Sequence, residues 1–219
     1  MAITRSNIRA AVEVLKKGGL VIYPTETAYA LGCDSRNLSA VRRIYALKGR
    51  QRQKPLALIA AGLKMVKHFF RFTTHYPAFD GTPRLWRGGS RLTRKHWPGP
   101  LTLVLPVKNP RLRRALGARE VGVRVSPQAV ARALSKYLGA PIVATSANRS
   151  GKGNCYSIRA VRRSFGLSRD WTPTLRRSPI SKVVFILDSG HLPRRRPSTV
   201  VAFRKGKPIV LRQGPIRIS

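Results

Sequence analysis

Residues 18–35, GGLVIYPTETAYALGCDS, decide the fold of this chain. The glycine pair at the start predicts the end of a first helix, and the apolar run LVIY predicts a buried strand that stops at Pro24. Beyond the proline the composition changes to threonines, tyrosines and small residues, with Glu26 and Asp34 among them. The whole chain has only seven acidic residues, so this segment joins a buried strand to a rare pair of carboxylates.

The charge of the chain is strongly one-sided. In 219 residues there are 44 lysines and arginines against 7 aspartates and glutamates, a formal net charge of +37. Such a field attracts polyanions, which leaves nucleic acid, nucleotides and anionic membranes as partners to consider. Because 42% of the residues are hydrophobic and gather in compact runs, we interpret the charge as a feature of a folded surface rather than of disorder. No RNA-binding motif with interleaved aromatic residues occurs, so loose electrostatic binding of RNA is favoured over a specific RNA groove.

The spacing of the cysteines and the lengths of the apolar segments indicate where in the cell the protein is located. Cys33 and Cys155 are far apart and form no CxxC pattern, so we expect a reducing environment, no structural zinc and two thiols that pack as small hydrophobic residues. The first residues lack the long apolar region of a secretory signal, and no run approaches the roughly 20 residues of a membrane span. We therefore expect a cytoplasmic protein that has no membrane partner.

The spacing of apolar residues predicts alternating helices and strands. A first helix begins at Ser6 as its cap and carries Ile8, Val12 and Leu15 at helical spacing. Further helices are predicted near residues 38–47, 65–70, 127–138 and 158–164, a loop over 166–178, and strands near 20–23, 56–60, 101–107, 121–125, 142–145, 182–187, 199–203 and 208–211. This order predicts a mixed α/β (α+β) fold in which a single domain, residues 1–219, is built on a large twisted mixed sheet flanked by helices.

The common catalytic motifs are absent from the sequence. It has no GxxxxGK[ST], GxGxxG or HExxH pattern, which argues against a phosphate-binding loop, a dinucleotide fold and zinc hydrolysis. KGR at residues 48–50, followed by Lys54, places three cations where phosphates could be gripped, and TSAN at residues 145–148 leaves a strand at the end where ligands of α/β sheets sit. From composition alone, the cations are more simply a solvated surface, and the TSAN residues serve equally well as a helix cap.

Several segments, taken together and in order, carry a family resemblance. After residues 18–35 come IYALKGRQRQKPL, HWPGPLTLVLPV, VGVRV, APIVATSANRSG, PSTVV and IVLRQGPI. The joint pattern, from about residue 7 to residue 215, resembles the YrdC-like family, the threonylcarbamoyl-AMP synthases of the pathway that makes threonylcarbamoyladenosine (t6A) in tRNA. The resemblance implies a YrdC-like fold for the domain.

The resemblance also implies an activity and a set of partners. The family reaction is a nucleotidyl transfer that joins L-threonine, bicarbonate and ATP to give L-threonylcarbamoyladenylate and pyrophosphate, with Mg²⁺ expected on the phosphates. The implied macromolecular partners are tRNA or double-stranded RNA and a downstream t6A transferase. Little general-base chemistry is required, so we expect positioning and cationic stabilisation to dominate catalysis.

The family motifs assign site residues by position. The resemblance implies a catalytic set, an ATP-binding set and a set that holds threonine or its carbamate. The catalytic set is Lys48, Arg50, Ser146 and Asn148, the ATP set is Arg50, Lys54, Asn148 and Arg212, and the threonine set is Thr27, Tyr29, Arg124, Ser146 and Ser198. We expect Glu26 and Asp34 to serve the local structure, as caps or as partners of Lys48 and Arg50, and not as catalytic bases.

The sequence departs from the family pattern in a few places. Ala30 replaces a usual glycine, and SGKGNCYS places Asn154, Cys155 and Tyr156 where many relatives have SGxPSPT. These changes keep a second hypothesis open, an RNA-binding protein of the same fold with weak or no synthase activity. A third hypothesis, a carbamoyl-transfer relative in hydrogenase maturation, is disfavoured because the acylphosphatase and zinc-finger modules of those proteins are missing.

Overall fold

The computed structural model of this protein describes residues 3–71, 73–77, 83–85, 87–166, 184–204 and 207–218. In these residues the helices are α1 (Arg5–Lys16), α2 (Leu38–Lys48), α3 (Leu63–Phe69), α4 (Arg87–His96), α5 (Pro110–Leu116), α6 (Ala129–Leu138) and α7 (Ile158–Phe165). The strands are β1 (Leu20–Pro24), β2 (Tyr29–Gly32), β3 (Leu58–Ile59), β4 (Thr73–Pro77), β5 (Pro83–Leu85), β6 (Leu101–Pro106), β7 (Glu120–Arg124), β8 (Ile142–Val143), β9 (Thr145–Ser146), β10 (Val184–Ile186), β11 (Thr199–Arg204) and β12 (Lys207–Arg212).

The strands form two main sheets, each with parallel and antiparallel neighbours. One has four strands in the order β10-β1-β2-β9, and the other has six in the order β12-β11-β6-β7-β3-β8. Strands β4 and β5 pair as a separate hairpin. The predicted mixed α/β fold with helices flanking the sheet is confirmed, and the structure adds that the strands divide between two sheets.

The first helix confirms its predicted buried face and corrects its predicted cap. Ile8, Val12 and Leu15 are buried as expected. The cap is Thr4 and not Ser6, because Thr4 Oγ1 accepts a hydrogen bond from Asn7 N (3.2 Å) and Asn7 Oδ1 accepts one from Thr4 N (3.0 Å). This reciprocal arrangement satisfies two backbone donors at once, which a cap at Ser6 would leave open.

Most predicted strands are present, and the differences have local causes. The run at residues 142–145 divides into β8 and β9, and the run at 56–60 shortens to β3. Strand β2 was not predicted, since its four residues YALG follow closely spaced threonines and read as part of a turn. The part of the predicted strand at 182–187 that precedes Val184, and the predicted loop beyond Gly166, lie outside the described residues.

The two sheets are joined at residues 142–146. Strand β8 pairs with β3 in the six-stranded sheet, and β9 pairs with β2 in the four-stranded sheet, so the chain crosses between sheets at Ala144. At this crossing Tyr23 OH donates to Val143 O (2.9 Å), and Val143 N donates to Cys33 O (3.0 Å). Both cysteines are buried and free, as predicted.

The helices pack against one another and against the strands. Helix α1 packs on α6 and on strand β1, and α2 packs on α5. Among the described residues, no helix combines the length and the apolar character that crossing a membrane requires.

Gly32 lies where the backbones of the two sheets approach each other closely, and this predicts its mutational sensitivity. A Cβ at Gly32 would overlap the backbone oxygen of Val143 and lie 2.7 Å from Tyr23 Cε1. Gly32→Ala should therefore lower the free energy of unfolding by about 1–3 kcal/mol, the usual cost of overpacking. Gly153→Ala is the control, since nothing lies within 4 Å of a Cβ there and the residue is exposed and outside the helices and strands. Urea denaturation of both variants measures the difference; equal stabilities would contradict the close approach.

Candidate active site

A cavity of about 370 Å³ lies on one face of the six-stranded sheet. Its floor is formed by short side chains on or beside neighbouring strands, Ala57, Thr102, Gly122 and Ala144. Gly122 deepens the floor, because a Cβ there would lie 2.9 Å from Thr102 Cγ2. The segment between β1 and β2 forms the facing wall, with Thr25, Thr27 and Ala28.

Arg124, the last residue of β7, lines this cavity and is largely buried. Its Nε lies 3.3 Å from Glu26 Oε1, and Glu26 Oε2 accepts a hydrogen bond from Ser126 Oγ (2.5 Å). Glu26 is therefore the partner of Arg124, and its predicted pairing with Lys48 or Arg50 is wrong. The turn after Pro24 directs Glu26 toward the end of β7 and away from helix α2.

Arg212, the last residue of β12, enters the same cavity from the other side. Its Nε donates to Ser198 O (3.0 Å) and its Nη2 donates to Ser198 Oγ (3.0 Å). The Ser198 hydroxyl also lies 2.8 Å from Thr102 Oγ1. Thr102 was not predicted, although a hydroxyl within the apolar run LTLVL is an available signal for a side chain facing a polar site.

The electrostatics of this cavity favour an anion. Burial, followed by the positive charge of Arg124, lowers the pKa of the Arg212 guanidinium. Arg50, Arg124 and Arg212 line the cavity, and no acidic residue is among the described residues that line it. Guanidinium groups that repel one another bind best when a carboxylate or phosphate lies between them, because that anion removes the repulsion.

The β1–β2 turn supplies the hydroxyls of Thr25 and Thr27, and Tyr29 follows it at the start of β2. Thr25 Oγ1 donates to Ala28 O (2.7 Å) and lies 3.1 Å from Thr27 Oγ1, so the two threonines are held together. Tyr29 is among the residues that line the cavity, but its side chain is fully buried, and its hydroxyl donates to Gly190 O (2.8 Å) and accepts from Ser189 N (2.8 Å). Burial raises the pKa of Tyr29 to about 12, so this phenol stays protonated and fixes the loop that contains residues 188–190.

A second cavity, of about 450 Å³, adjoins the first. The two share Arg50, Ser146 and Asn154 in their linings. The second cavity adds a set of cations, and no acidic residue is among the described residues lining it. Its cationic lining residues are Lys48, Arg50, Lys54 and Lys152. This distribution suits a phosphate chain that continues out of the first cavity.

Lys48 organises the segment that separates the cavities. It lies in the last turn of α2, and its Nζ donates to Ser146 O (2.5 Å) and Asn148 O (2.6 Å). Burial, followed by the like charge of Arg50, lowers the pKa of the Lys48 amine from 10.5 to about 8. Asn148 continues the arrangement, since its Nδ2 donates to Lys152 O. Both side chains thus hold the turn that follows β9.

Arg50 and Lys54 belong to the loop after α2. Gly49 ends the helix in the left-handed conformation (φ 59°), and Arg50 then folds back so that its Nε donates to Lys54 O (3.1 Å) and its Nη2 to Pro55 O (3.1 Å). Every site residue that the sequence assigned lines one or both of the two cavities. The assigned roles of these residues in binding and catalysis stay predictions.

The family model named Sua5/YciO/YrdC, whose description reads "Telomere recombination", matches residues 13–214. The chain belongs to the Sua5/YciO/YrdC family. Curated relatives match most of the chain, and three of them show the range of sequence identity and coverage. A protein named threonylcarbamoyl-AMP synthase from Halorhodospira halophila is 38% identical over 74% of this chain and 80% of its own. The protein of the same name from Thiobacillus denitrificans is 36% identical, and the match covers 88% of this chain and 89% of that protein. The one from Vibrio vulnificus is 32% identical, and the match covers 95% of this chain and 99% of that protein.

Solved structures of the Sua5/YciO/YrdC family share this fold. The P. abyssi Sua5 structure complexed with L-threonine superposes with a TM-score of 0.77 and 31% identity, covering 98% of this chain. The present chain spans 56% of that longer protein. E. coli YciO superposes with a TM-score of 0.74 and 26% identity, covering 97% of this chain and 91% of its own.

Where this chain departs from the Sua5/YciO/YrdC motifs, the backbone accommodates the change. Ala30 lies in strand β2, opposite Tyr23 and Ser146, so its backbone is extended and needs no glycine. In the SGKGNCYS loop, Asn154 reaches both cavities, while the buried Cys155 presents its carbonyl to Tyr29 N (2.9 Å).

Asp34 has a local partner, which answers one expectation from the sequence. Asp34 pairs with Arg36 through two bonds (Nε–Oδ1 3.0 Å, Nη2–Oδ2 2.9 Å) and accepts from Arg36 N (2.9 Å), so it is a local cap and not a partner of Lys48 or Arg50. Within the described ranges, no three His, Cys, Asp or Glu side chains are grouped so as to hold a metal ion.

The lowered pKa of Lys48 predicts a pH-dependent stability. Between about 8 and 10.5 the unfolded chain holds the Lys48 proton and the folded chain does not, so the Lys48 contribution to stability increases as pH rises through this window. Wild type should therefore gain stability relative to Lys48→Met when denaturant unfolding is compared at pH 7.5 and about pH 10. Lys136→Met, on the outer face of α6, is the control and should show no such gain. A constant difference between wild type and Lys48→Met would contradict the lowered pKa.

Proposed function

We propose that this protein is an L-threonylcarbamoyladenylate synthase, a nucleotidyltransferase that forms threonylcarbamoyl-AMP and pyrophosphate from L-threonine, bicarbonate and ATP for the t6A modification of tRNA. The observation that carries the proposal is the pair of adjoining cavities, both free of acidic residues among the described residues that line them. One has the size and cations for an amino acid, and the other has the cations for a phosphate chain.

The first cavity fits the amino acid. The planar fork of Arg124 suits a carboxylate in a two-point interaction, and the hydroxyls of Thr27, Ser146 and Ser198 offer hydrogen bonds to the polar atoms of threonine or of its carbamate. The floor of alanines and a glycine leaves room for the side chain of threonine.

The second cavity fits the nucleotide phosphates. Lys54 and Arg50 would contact the phosphate chain, while Lys48 and Asn148 hold the turn against which it lies. Arg212 at the far side of the first cavity would complete the ATP contacts. Mg²⁺, which ATP normally carries, would be held mainly by phosphate oxygens, because the described lining of both cavities offers no carboxylate.

The chemistry needs alignment more than a strong base. The threonine amine attacks the carbon of bicarbonate, and loss of a proton and of hydroxide, together one water, leaves the carbamate. A carbamate oxygen then attacks the α-phosphorus in line, and the bond to the β-phosphate oxygen breaks as pyrophosphate leaves. Arg50 lies at the junction of the two cavities, so its charge can stabilise the negative charge that develops between them.

A pyrophosphate-release assay tests the proposed function. The purified protein should release pyrophosphate from ATP only when both L-threonine and bicarbonate are present. Arg124→Gln should raise the KM for threonine by roughly 30-fold or more, with a small change in the KM for ATP, because it removes one partner of a buried charge pair. Arg9→Gln, on the exposed face of α1, is the matched control and should behave as wild type. Release without threonine, or none at all, would refute the synthase.

A second candidate function, RNA binding with weak or no synthase activity, is favoured by one specific feature. A cleft of about 480 Å³ is formed by α5 and the residues that flank it, just before β7 begins. We call it the α5 cleft; its cationic lining residues are Lys108, Arg113, Arg114 and Arg119. A polyanion such as tRNA or double-stranded RNA would find four cations there. Contacts with a downstream t6A transferase and a cytoplasmic location belong to the synthase proposal and not to this second candidate.

Salt dependence separates an RNA site from diffuse charge. Replacing Arg113 and Arg114 together by glutamine should reduce the slope of log affinity against log salt by about 2 if both contact phosphates. The control replaces Arg5 and Arg9 on α1, which are equally exposed. Fluorescence anisotropy with a tRNA gives both slopes, and an equal reduction in the two variants would show that only the overall charge matters.

A further inference from the structure

Glu26 is a buried carboxylate placed directly behind Arg124. The two side chains are 7% and 10% exposed, and Glu26 does not line the cavity that Arg124 enters. Glu26 Oε1 and Arg124 Nε face each other at 3.3 Å, and both atoms are enclosed with no other partner among the described residues. The second oxygen, Glu26 Oε2, is occupied by the Ser126 hydroxyl at 2.5 Å.

This placement divides the guanidinium of Arg124 into two ends. The Nε end faces the carboxylate, and among the described residues the terminal nitrogens have no hydrogen-bond partner. Since Arg124 lines the cavity, its terminal fork is the part left to bind a ligand. A two-point interaction with a carboxylate depends on the plane of the guanidinium, and the ion pair at Nε restricts that plane.

The charge of Glu26 has a second effect. Arg212 lines the same cavity as Arg124 and is held by Ser198, and the positive charges of the two guanidinium groups repel one another. Without a carboxylate behind it, Arg124 would carry an uncompensated buried charge and would be displaced away from Arg212. Glu26 offsets that repulsion from outside the cavity and so leaves the space between the arginines open for substrate.

We propose that Glu26 is a positioning residue for amino-acid binding, which holds the Arg124 fork in the orientation that receives the substrate carboxylate. This inference rests on the proposed function, since it takes the ligand of Arg124 to be the carboxylate of an amino acid. Glu26 is not a general base in this arrangement, because both of its oxygens are directed at protein groups and neither reaches the cavity.

Comparing two ligands tests the role of Glu26. L-threonine has a carboxylate, and L-threoninamide replaces it with a neutral amide while keeping the amine and the side chain. By isothermal titration calorimetry, Glu26→Gln should raise the Kd for L-threonine by about tenfold or more, a loss typical of removing one partner of a buried charge pair. The Kd values for L-threoninamide and ATP should change by less than about twofold, within the usual scatter of such contacts.

Two further variants keep the test independent of folding defects. Ser126→Ala removes the hydroxyl that donates to Glu26 Oε2 and accepts from Gln128 N (3.1 Å), leaves the Glu26 charge in place, and should weaken L-threonine binding in the same direction by a smaller factor. Glu26→Asp keeps the charge and should restore part of the affinity lost in Glu26→Gln. If Glu26→Gln does not fold, the Kd values of Ser126→Ala and Glu26→Asp for L-threonine and L-threoninamide decide whether Glu26 orients Arg124 or only shapes the cavity.

The outcomes separate this inference from the proposed function. If wild type binds L-threonine and these variants weaken L-threonine and L-threoninamide equally, Glu26 only shapes the cavity and the inference is overturned. If wild type binds L-threonine and the variants bind it as tightly, the inference is likewise overturned while the proposed function stands. If wild type binds no L-threonine, the proposed function fails, and the positioning role fails with it.

Discussion

The crossing of the chain from one sheet to the other at Ala144 is the constraint on which the rest of the structure depends. Within residues 142–146 the backbone pairs with β3, then donates from Ala144 N to Ala57 O (2.8 Å), then pairs with β2. Buried backbone groups must be paired, so the crossing has no freedom to shift by a residue. It therefore fixes the floor of the first cavity through Ala144 and the boundary of the second through Ser146. Gly32 and Tyr23 close the same corner from the other sheet.

Three cations surround this corner, the buried Lys48 and Arg124 and the more exposed Arg212, and each has a different kind of partner. Lys48 is held by the carbonyls of Ser146 and Asn148, Arg212 by the hydroxyl and carbonyl of Ser198, and Arg124 by the carboxylate of Glu26. Carbonyl and hydroxyl partners fix a cation without cancelling its charge, which a site for anions needs. Where the guanidinium groups of Arg124 and Arg212 line one cavity, the single carboxylate of Glu26 offsets part of their repulsion. A chain with only seven acidic residues keeps one here, where the charge that it offsets is buried.

Much of the fold could be predicted from the apolar runs of the sequence. The site could be predicted only from the joint pattern of the family motifs. Strands β1, β6, β7 and β11 follow from continuous buried runs, whereas β2 was missed because its burial comes from tertiary pairing with β1 and β9. Helix α5 was missed because NPRLRRALG is rich in arginine, although its Asn109 cap and Gly117 stop were visible. The contact of Glu26 with Arg124 joins residues far apart in the chain, and no local spacing predicts it. From composition alone, the KGR cations were more simply interpreted as solvated surface than as a phosphate site.

The altered loop at residues 151–157 shows why the site tolerates sequence change. Two of its contacts are made by backbone carbonyls: Cys155 O accepts from Tyr29 N at the start of β2 (2.9 Å), and Tyr156 O accepts from Leu192 N (2.8 Å). A backbone acceptor is present whatever the side chain, so the loop keeps its place when the family residues are replaced. The side chains that change, Asn154 and Tyr156, then have separate consequences. Asn154 faces both cavities, whereas the Tyr156 ring lies under the Arg194 guanidinium (5.6 Å) at the edge of the site. Substitution in this loop therefore alters contacts to the ligand without altering the frame that holds Arg124, Lys48 and Arg212.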